Sequence, residues 1–280
     1  MAELRVHIQG AGKVGRALAR ALRAKGAHVT LRAAREGLPK RALDVDLVIV
    51  AVRDGDVPKV AEGLAAGLLP GERRRVAVVH CAGALGPEAL AAVRGPRVAV
   101  AQMHPMIAFA DSATSPSLEA GQLHVDGDAH AVRVARRVGR LLGLTPRTIP
   151  GLDRVAYHAA AGLVANGAAA LAAAGIELLE KAGVPRETAA AMLGPLLRSV
   201  AENVTSLGMP RALTGPVRRG DLRGLERHVA TLERLAPQLV PLYLASAGAQ
   251  LPHARALGEA PAEALDGIAA LVARAALGSA

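Results

Sequence analysis

The sequence predicts an α/β fold: a doubly wound parallel sheet in the first half, followed by an all-α second half. Three observations carry that reading. Short β-rich runs alternate with helical patterns as far as Ile149, strand signals stop at Pro150-Gly151, and only helical periodicity continues beyond. A chain of 280 residues is long for one domain, so we expect a nucleotide-binding type of domain at 1–150 and a helical domain at 151–280. Hydrophobic residues make up 51% and charged residues 21%, which supplies a core and excludes disorder as the dominant state.

The expected strands are Leu4–Gln9, His28–Leu31, Leu47–Val52, Val76–His80 and Val98–Ala101, with Leu123–Val125 and Thr145–Ile149 raising the sheet to as many as seven. Between the first two, Val14, Ala17, Leu18, Ala21 and Leu22 form the apolar stripe of a helix whose other side carries Lys13, Arg16, Arg20 and Arg23. Gly26 ends it. A second amphipathic helix runs through Ala131, Val134, Ala135, Val138, Leu141 and Leu142, with Gly143 as its cap. After the boundary, Val155 to Ile176 is a stretch of 22 residues without a formal charge. It is mostly Ala and Gly with His158 and Asn166 inside, too weakly apolar for membrane insertion, so it reads as a buried helix. A helix interrupted at Pro195 follows from Arg186 to Leu207, then a loop from Gly208 to Asp221, then helices Leu222–Leu235, Leu239–Leu251 and Ala262–Ala276. No internal repeat is present.

Composition narrows the function. Phe109, Tyr157 and Tyr243 are the only aromatics, so there is no stacking platform for single-stranded nucleic acid. The net charge of +10 comes mostly from arginines spread along helices, which argues against a concentrated polyanion-binding tail. Cys81 is the only cysteine, so no internal disulfide or cysteine-built metal site exists. With no basic segment and apolar core at the start, a cytoplasmic location is expected.

Gly10-Ala11-Gly12-Lys13-Val14-Gly15 matches G-x-G-x-x-G directly after an apolar strand and at the opening of an amphipathic helix. In that context Gly10 makes the tight turn, Gly12 lets a pyrophosphate approach the backbone, and Gly15 allows close packing of helix on strand. A dinucleotide is the expected cofactor. The second strand ends Thr30-Leu31-Arg32-Ala33-Ala34-Arg35, with no carboxylate for a ribose 2′-hydroxyl and guanidiniums suited to a 2′-phosphate. NADP is therefore expected over NAD, through Arg32 and Arg35, although both could be ordinary solvated arginines. Val52 and Arg53, at the end of the run Leu47–Val52, would lie along the cofactor, while Asp56 before Val57-Pro58 reads as a helix N-cap.

Two histidines stand at carboxyl ends of strands: His80 closes its run and His104 lies just past Val98–Ala101. Either could exchange a proton when hydride moves, or simply bond a loop backbone. A metal site built from His80, His104, His158 and His228 lacks ligand spacing, so no metal is expected. In the second half, Tyr157, His158 and Asn166 interrupt an apolar helix; His158 and Asn166 lie about 12 Å and about 80° apart on an ideal helix, able to border one cleft or to bond neighbouring helices. The segment Leu213 to Asp221 gathers Thr214, Arg218 and Arg219 among glycines and a proline, which suits an anion, with Asp221 a helix N-cap.

These residues, in this order, resemble an uncharacterised two-domain bacterial family with a Rossmann-like first half and a helical domain of unknown function. The shared segments are Gly10–Gly15, Val79-His80-Cys81-Ala82-Gly83-Ala84-Leu85, His104-Pro105-Met106 with Phe109, Tyr157-His158-Ala159-Ala160 with Asn166, Pro195-Leu196-Leu197 with Asn203, and Leu213-Thr214-Gly215-Pro216 with Arg219-Gly220-Asp221 and His228. Ala82 departs from the family's usual Ser. The layout is more distantly similar to pyrroline-5-carboxylate reductase, ketopantoate reductase, prephenate dehydrogenase and deazaflavin-dependent NADP oxidoreductases, with a helical half resembling the C-terminal domain of 6-phosphogluconate dehydrogenase. The resemblance implies a homodimer through the helical domain, a cleft between domains, and His104 acting on a substrate hydroxyl. The resulting expectation is an NADP-dependent oxidoreductase for a small anionic carbonyl, imine or hydroxy compound. His104 would be the acid/base, with His80, His158 and Asn166 in support and Tyr157, Thr214 and Arg219 holding substrate. The competing expectation is a nucleotide-binding regulatory or scaffold protein without turnover.

Overall fold

The computed structural model describes residues 4–66, 75–114 and 116–277. The chain divides into two compact units at Leu163/Val164, a point inside a long helix and beyond the Pro150-Gly151 at which strand signals end.

The first unit runs β1 (Arg5–Gln9), α1 (Lys13–Ala24), β2 (His28–Arg32), β3 (Leu47–Val50), α2 (Val57–Ala65), β4 (Val76–His80), β5 (Val98–Met106), β6 (Gln122–Gly127), α3 (Ala129–Leu141) and β7 (Thr145–Arg147). These seven strands form one sheet in the order β2-β1-β3-β4-β5-β6-β7. Strands β1 to β5 are parallel where they pair, with Gln9, Val50, His80 and Gln102 in one row across the sheet. Strand β6 is the exception to the parallel sheet expected: it pairs antiparallel with β5, and β7 pairs parallel with β6. A parallel neighbour needs a crossover, usually helical, and no helix lies between β5 and β6 among the described residues.

Strand alternation sends successive residues to opposite faces, and each face has its own core. Val6, Ile8, Leu47, Ile49, Ala77 and Val79 pack with Leu18 and Leu22 of α1 and Ala131, Ala135 and Val138 of α3. Val48, Val50, Val76, Val78 and Val100 pack with Ala61 and Leu64 of α2 and with Leu90 and Val93 of the 3₁₀ segment Pro87–Val93. The sheet is thus covered on both faces, which is why its central strands read as unbroken apolar runs. Strand β5 extends past Ala101 to Met106, so His104 lies within the strand and not just beyond it as expected.

Helix α4 (Arg154–Lys181) crosses the division, and the second unit continues with α5 (Arg186–Leu207), α6 (Pro216–Arg219), α7 (Leu222–Leu235), α8 (Val240–Leu257) and α9 (Ala262–Leu277). Pro195 sits inside α5 without ending it. The one-turn α6 occupies part of the segment expected to be loop. Asp221 is the N-cap of α7, its carboxylate accepting from the Gly224 N–H at 2.8 Å. The core of this unit gathers Val217, Leu225, Ala247, Ala254, Leu265 and Ile268.

The helix expected to be buried is not. No residue of α4 is buried, Leu163 is 78% exposed and Val164 72%, and α5 buries only Ala189. An Ala/Gly helix without a polar side has no single face directed at the chain's own core, and nothing among the described residues covers it. Among the described residues α4 is also the one helix long and apolar enough to cross a membrane, judged by length and a mean hydropathy of 1.6.

Candidate functional site

At the carboxyl end of β1 the chain turns through Gly10 at φ +116°, where an added Cβ would stand 2.1 Å from the Ala51 carbonyl oxygen. Gly15 is equally constrained, since its Cβ would meet the Gly10 carbonyl oxygen at 1.8 Å. These two glycines serve the packing of α1 on the sheet. Gly12 is different: nothing lies within 4 Å of its absent Cβ. It is the N-cap of α1 and offers no side-chain cap, and the first turn holds no acidic residue. The leading N–H groups of α1 are therefore left for an anion, favoured also by the positive end of the helix dipole. A cleft of about 850 Å³ opens there, lined by Gly10, Ala11, Gly12, Lys13, Val14, Arg35, Val52, Arg53, Asp56 and Phe109 among others. Its position between β1 and β3, where the strand order reverses, is where open α/β sheets bind ligands. Asp56 occupies the N-cap position of α2 but makes no side-chain cap bond.

Arg32 does not take the place expected of it. Its Nε donates to the Gly37 carbonyl at 2.8 Å and its guanidinium to the Glu36 carbonyl at 2.5 Å, so it braces its own loop. Gln9 Nε2 also donates to the Gly37 carbonyl, at 3.1 Å. Arg35 is the arginine of the pair that borders the cleft.

A second feature lies further along the carboxyl edge, on β4, β5, β6 and the start of α4. In β5 and β6, Met103, Leu123 and Val125 face the core, so alternation puts Gln102, His104 and His124 on the other face. His104 pairs across the ladder with His124. Tyr157 Oη lies 3.1 Å from His104 Nδ1, the two rings meeting edge to face with centroids 5.4 Å apart. The His158 ring stands 5.8 Å from that of His104, also edge to face. A Cβ at Gly83 would be 2.3 Å from His158 Nδ1 and 2.9 Å from His104 Nε2, so the glycine is what lets both nitrogens face one point. Burial first, and the neighbouring His158, His124 and His80 second, lower the pKa of His104 to about 4. Its imidazole is neutral at physiological pH. Burial raises the Tyr157 hydroxyl above its ordinary value.

His80 is placed at the strand end as expected but is turned to structure. Its Nε2 donates to the Gly86 carbonyl at 2.9 Å and its Nδ1 accepts from the Ala82 N–H at 3.2 Å, which leaves no ring nitrogen for a substrate. Burial lowers its pKa too. Asn166 and Thr214 are exposed, and Arg219 is exposed with no ion pair among the described residues. Arg218 is committed to Glu259 and to the Leu213 carbonyl. His228 pairs with the Tyr243 hydroxyl at 2.7 Å. Among the described residues no three His, Cys, Asp or Glu side chains are arranged to hold a metal ion.

Gln102 and His124 are the two cluster members that the sequence reading missed. The available signal was alternation: Gln102-Met103-His104 and Leu123-His124-Val125 each place polar residues on one side of an apolar one.

Residues 122–250 match the family described as "Domain of unknown function (DUF2520)", in keeping with the resemblance read from the motifs. No curated protein matches the chain by sequence. Among solved structures, a protein from Thermotoga maritima is similar at 22% identity and TM-score 0.65, covering 90% of this chain and 98% of its own. A proposed NADP oxidoreductase from Bacteroides fragilis is similar at 22% identity and TM-score 0.66, over 89% and 98%. Pyrroline carboxylate reductase from Plasmodium falciparum, with NADP bound, is similar at 14% identity and TM-score 0.59, over 92% and 99%. These likenesses establish the Rossmann-like fold with a helical C-terminal region.

Proposed function

We propose that the protein is an NADP-dependent oxidoreductase acting on a small carbonyl, imine or hydroxy compound. The observation that carries this reading is the pairing of two features on one sheet edge. One is an open, uncapped anion site at Gly12 and α1; the other is a neutral His104 joined to Tyr157 and facing His158. The first fits a dinucleotide: the cleft has room, Gly12 admits close backbone approach, and Lys13, Arg35 and Arg53 bring positive charge to it. Two similar folds are described as an NADP oxidoreductase and as a reductase with NADP bound, which supports the same cofactor class. The nicotinamide, when bound, supplies or accepts the hydride.

The chain's own residues handle the proton. Burial keeps His104 unprotonated near neutral pH, so its ring can accept the proton of a substrate hydroxyl during oxidation. The Tyr157 hydroxyl, at Nδ1, fixes the ring's orientation and can exchange a proton with it. His158 offers a second nitrogen toward the same point above Gly83 and would orient the substrate oxygen or nitrogen. His80 holds the loop beneath. Arg219, exposed and without an ion pair among the described residues, is the residue we assign to binding an anion.

We further infer that two copies associate through α4 and α5, whose apolar side chains one copy leaves uncovered, and that the protein acts in the cytoplasm without nucleic acid. The cofactor assignment is tested by fluorescence titration of NADPH into the purified protein and into Gly12→Val. Saturable binding by the first and at least about tenfold weaker binding by the second are expected, a difference of about 1.4 kcal/mol. No binding by the wild type overturns the reading. Binding without NADPH oxidation across a panel of small 2-keto acids and cyclic imines would favour the regulatory alternative.

A further inference from the structure

Gln102 is fully buried at the centre of this arrangement, and each polar group of its side chain is used. Its Nε2 donates to the Ala82 carbonyl at 2.8 Å and to the Gly83 carbonyl at 3.1 Å. Two carbonyl acceptors fix which end of the amide carries nitrogen. Oε1 is then an acceptor, so His124 Nδ1, at 3.0 Å, must be the donor. His124 is therefore held in a single neutral tautomer with the proton on Nδ1. It is 3% exposed, its Nε2 is buried without a partner among the described residues, and its ring lies 5.5 Å from that of Tyr157. A protonated ring would need an acceptor at Nε2 that the site does not provide, and burial accordingly lowers its pKa.

We propose that Gln102 and His124 are positioning residues that clamp the Ala82-Gly83 turn at the height at which His104 Nε2 and His158 Nδ1 face Gly83. The clamp acts through backbone carbonyls, so it sets where the turn lies without touching a substrate. Neither residue lines the dinucleotide cleft. The turn is gripped from its other side by His80, which takes the Ala82 N–H and gives its own N–H to Gly86. Between them, the N–H of Ala82 and the carbonyls of Ala82, Gly83 and Gly86 are all fixed by buried side chains from β4 and β5. A turn held at so many points has little freedom to follow its neighbours, and a glycine in it becomes a fixed floor for the imidazoles above. The clamp's catalytic meaning rests on the oxidoreductase reading; the clamp itself does not.

Ring-nitrogen NMR of histidine-labelled full-length protein tests it, because tautomer and titration midpoint are read for each ring whether or not a substrate is known. Gln102→Met keeps the side chain's length while removing all three hydrogen bonds. In that variant the His104 midpoint should rise by about one pH unit as the pocket loosens, and the His124 tautomer preference should be lost. His124→Leu should reproduce the change at His104, whereas His124→Asn, whose amide nitrogen can replace Nδ1 as the donor, should restore the wild-type midpoint. A folded Gln102→Met with an unchanged His104 titration overturns the clamp, as does equal behaviour of the two His124 variants. Should Gln102→Met fail to fold, Gly83→Ala decides: a clamped turn forces the rings aside and moves the His104 midpoint, and an unchanged midpoint overturns the proposal. Wild-type NADPH titration, run alongside, reports on the oxidoreductase reading separately.

Discussion

Single residues here separate into those that build the edge of the sheet and those left free to act at it. His7, His80 and His124 are buried and bonded within the protein, and His104 is mostly withdrawn from water. All four have pKa values lowered chiefly by burial. The consequence for stability has a definite sign. Between the folded value for His104, about 4, and its ordinary value of 6.5, the unfolded chain binds a proton that the folded chain refuses. Stability is full above about pH 6.5 and falls as the pH drops toward 4, by roughly 3 kcal/mol from His104 alone. The other three act in the same direction. Urea unfolding at pH 7.5, 6, 5 and 4.5 should show this loss, and His104→Asn should flatten the slope by nearly one proton's worth. A wild-type midpoint independent of pH over that range would refute the burial argument.

At the scale of elements, the sequence disclosed most where a single periodicity was uninterrupted. Strand β4 and helix α7 match their expected bounds, and the amphipathic α1 differs little from its expected stripe. The fingerprint was legible because its glycines have distinct steric situations: an added Cβ would clash at Gly10 and Gly15 and meet nothing at Gly12. Strand β5 was read only as far as Ala101, where its β-branched run ends; it continues to Met106, with Pro105 pairing opposite Leu123 near the strand's end. That cut also hid Gln102 and His124 as partners, since they are neighbours only once β6 is laid antiparallel on β5. The two arginines are told apart only by the structure: sequence shows that Arg32 and Arg35 are near a strand end, but not which one the loop's own carbonyls capture. Arg32 is held by Glu36 and Gly37, so we expect it to shape the loop and Arg35 to read the 2′-phosphate. NADPH should bind at least about tenfold tighter than NADH. Arg35→Glu should abolish or reverse that ratio, and Arg32→Ala should weaken both nucleotides alike. Titration of both nucleotides into the two variants checks it, and a ratio that collapses only in the Arg32 variant would restore the original assignment.

At the scale of the whole molecule, the uncovered helices need an account. Helix α4 buries nothing and α5 only Ala189, while Leu163, Val164, Met192, Leu196, Val200 and Val204 are all exposed. Helices of 28 and 22 residues gain most of their stability from a packed face, which a single copy does not provide here. Exposed apolar area on this scale marks an interaction surface. Lipid is a poor occupant, because α4 is built largely from Ala and Gly and carries His158 and Asn166 in its apolar stretch. A second copy suits it better: small residues permit close backbone approach, and a two-fold axis lets one apolar face cover its own duplicate. We therefore expect a homodimer in light scattering at micromolar concentration in detergent-free buffer. The double variant Leu163→Lys, Leu196→Lys should yield monomers or unfold at markedly lower temperature, because each dimer would bury four unpaired charges, at a cost of several kcal/mol. A wild-type monomer under those conditions, or recovery only with membranes, would remove the dimer from the account and leave α4 to a different partner.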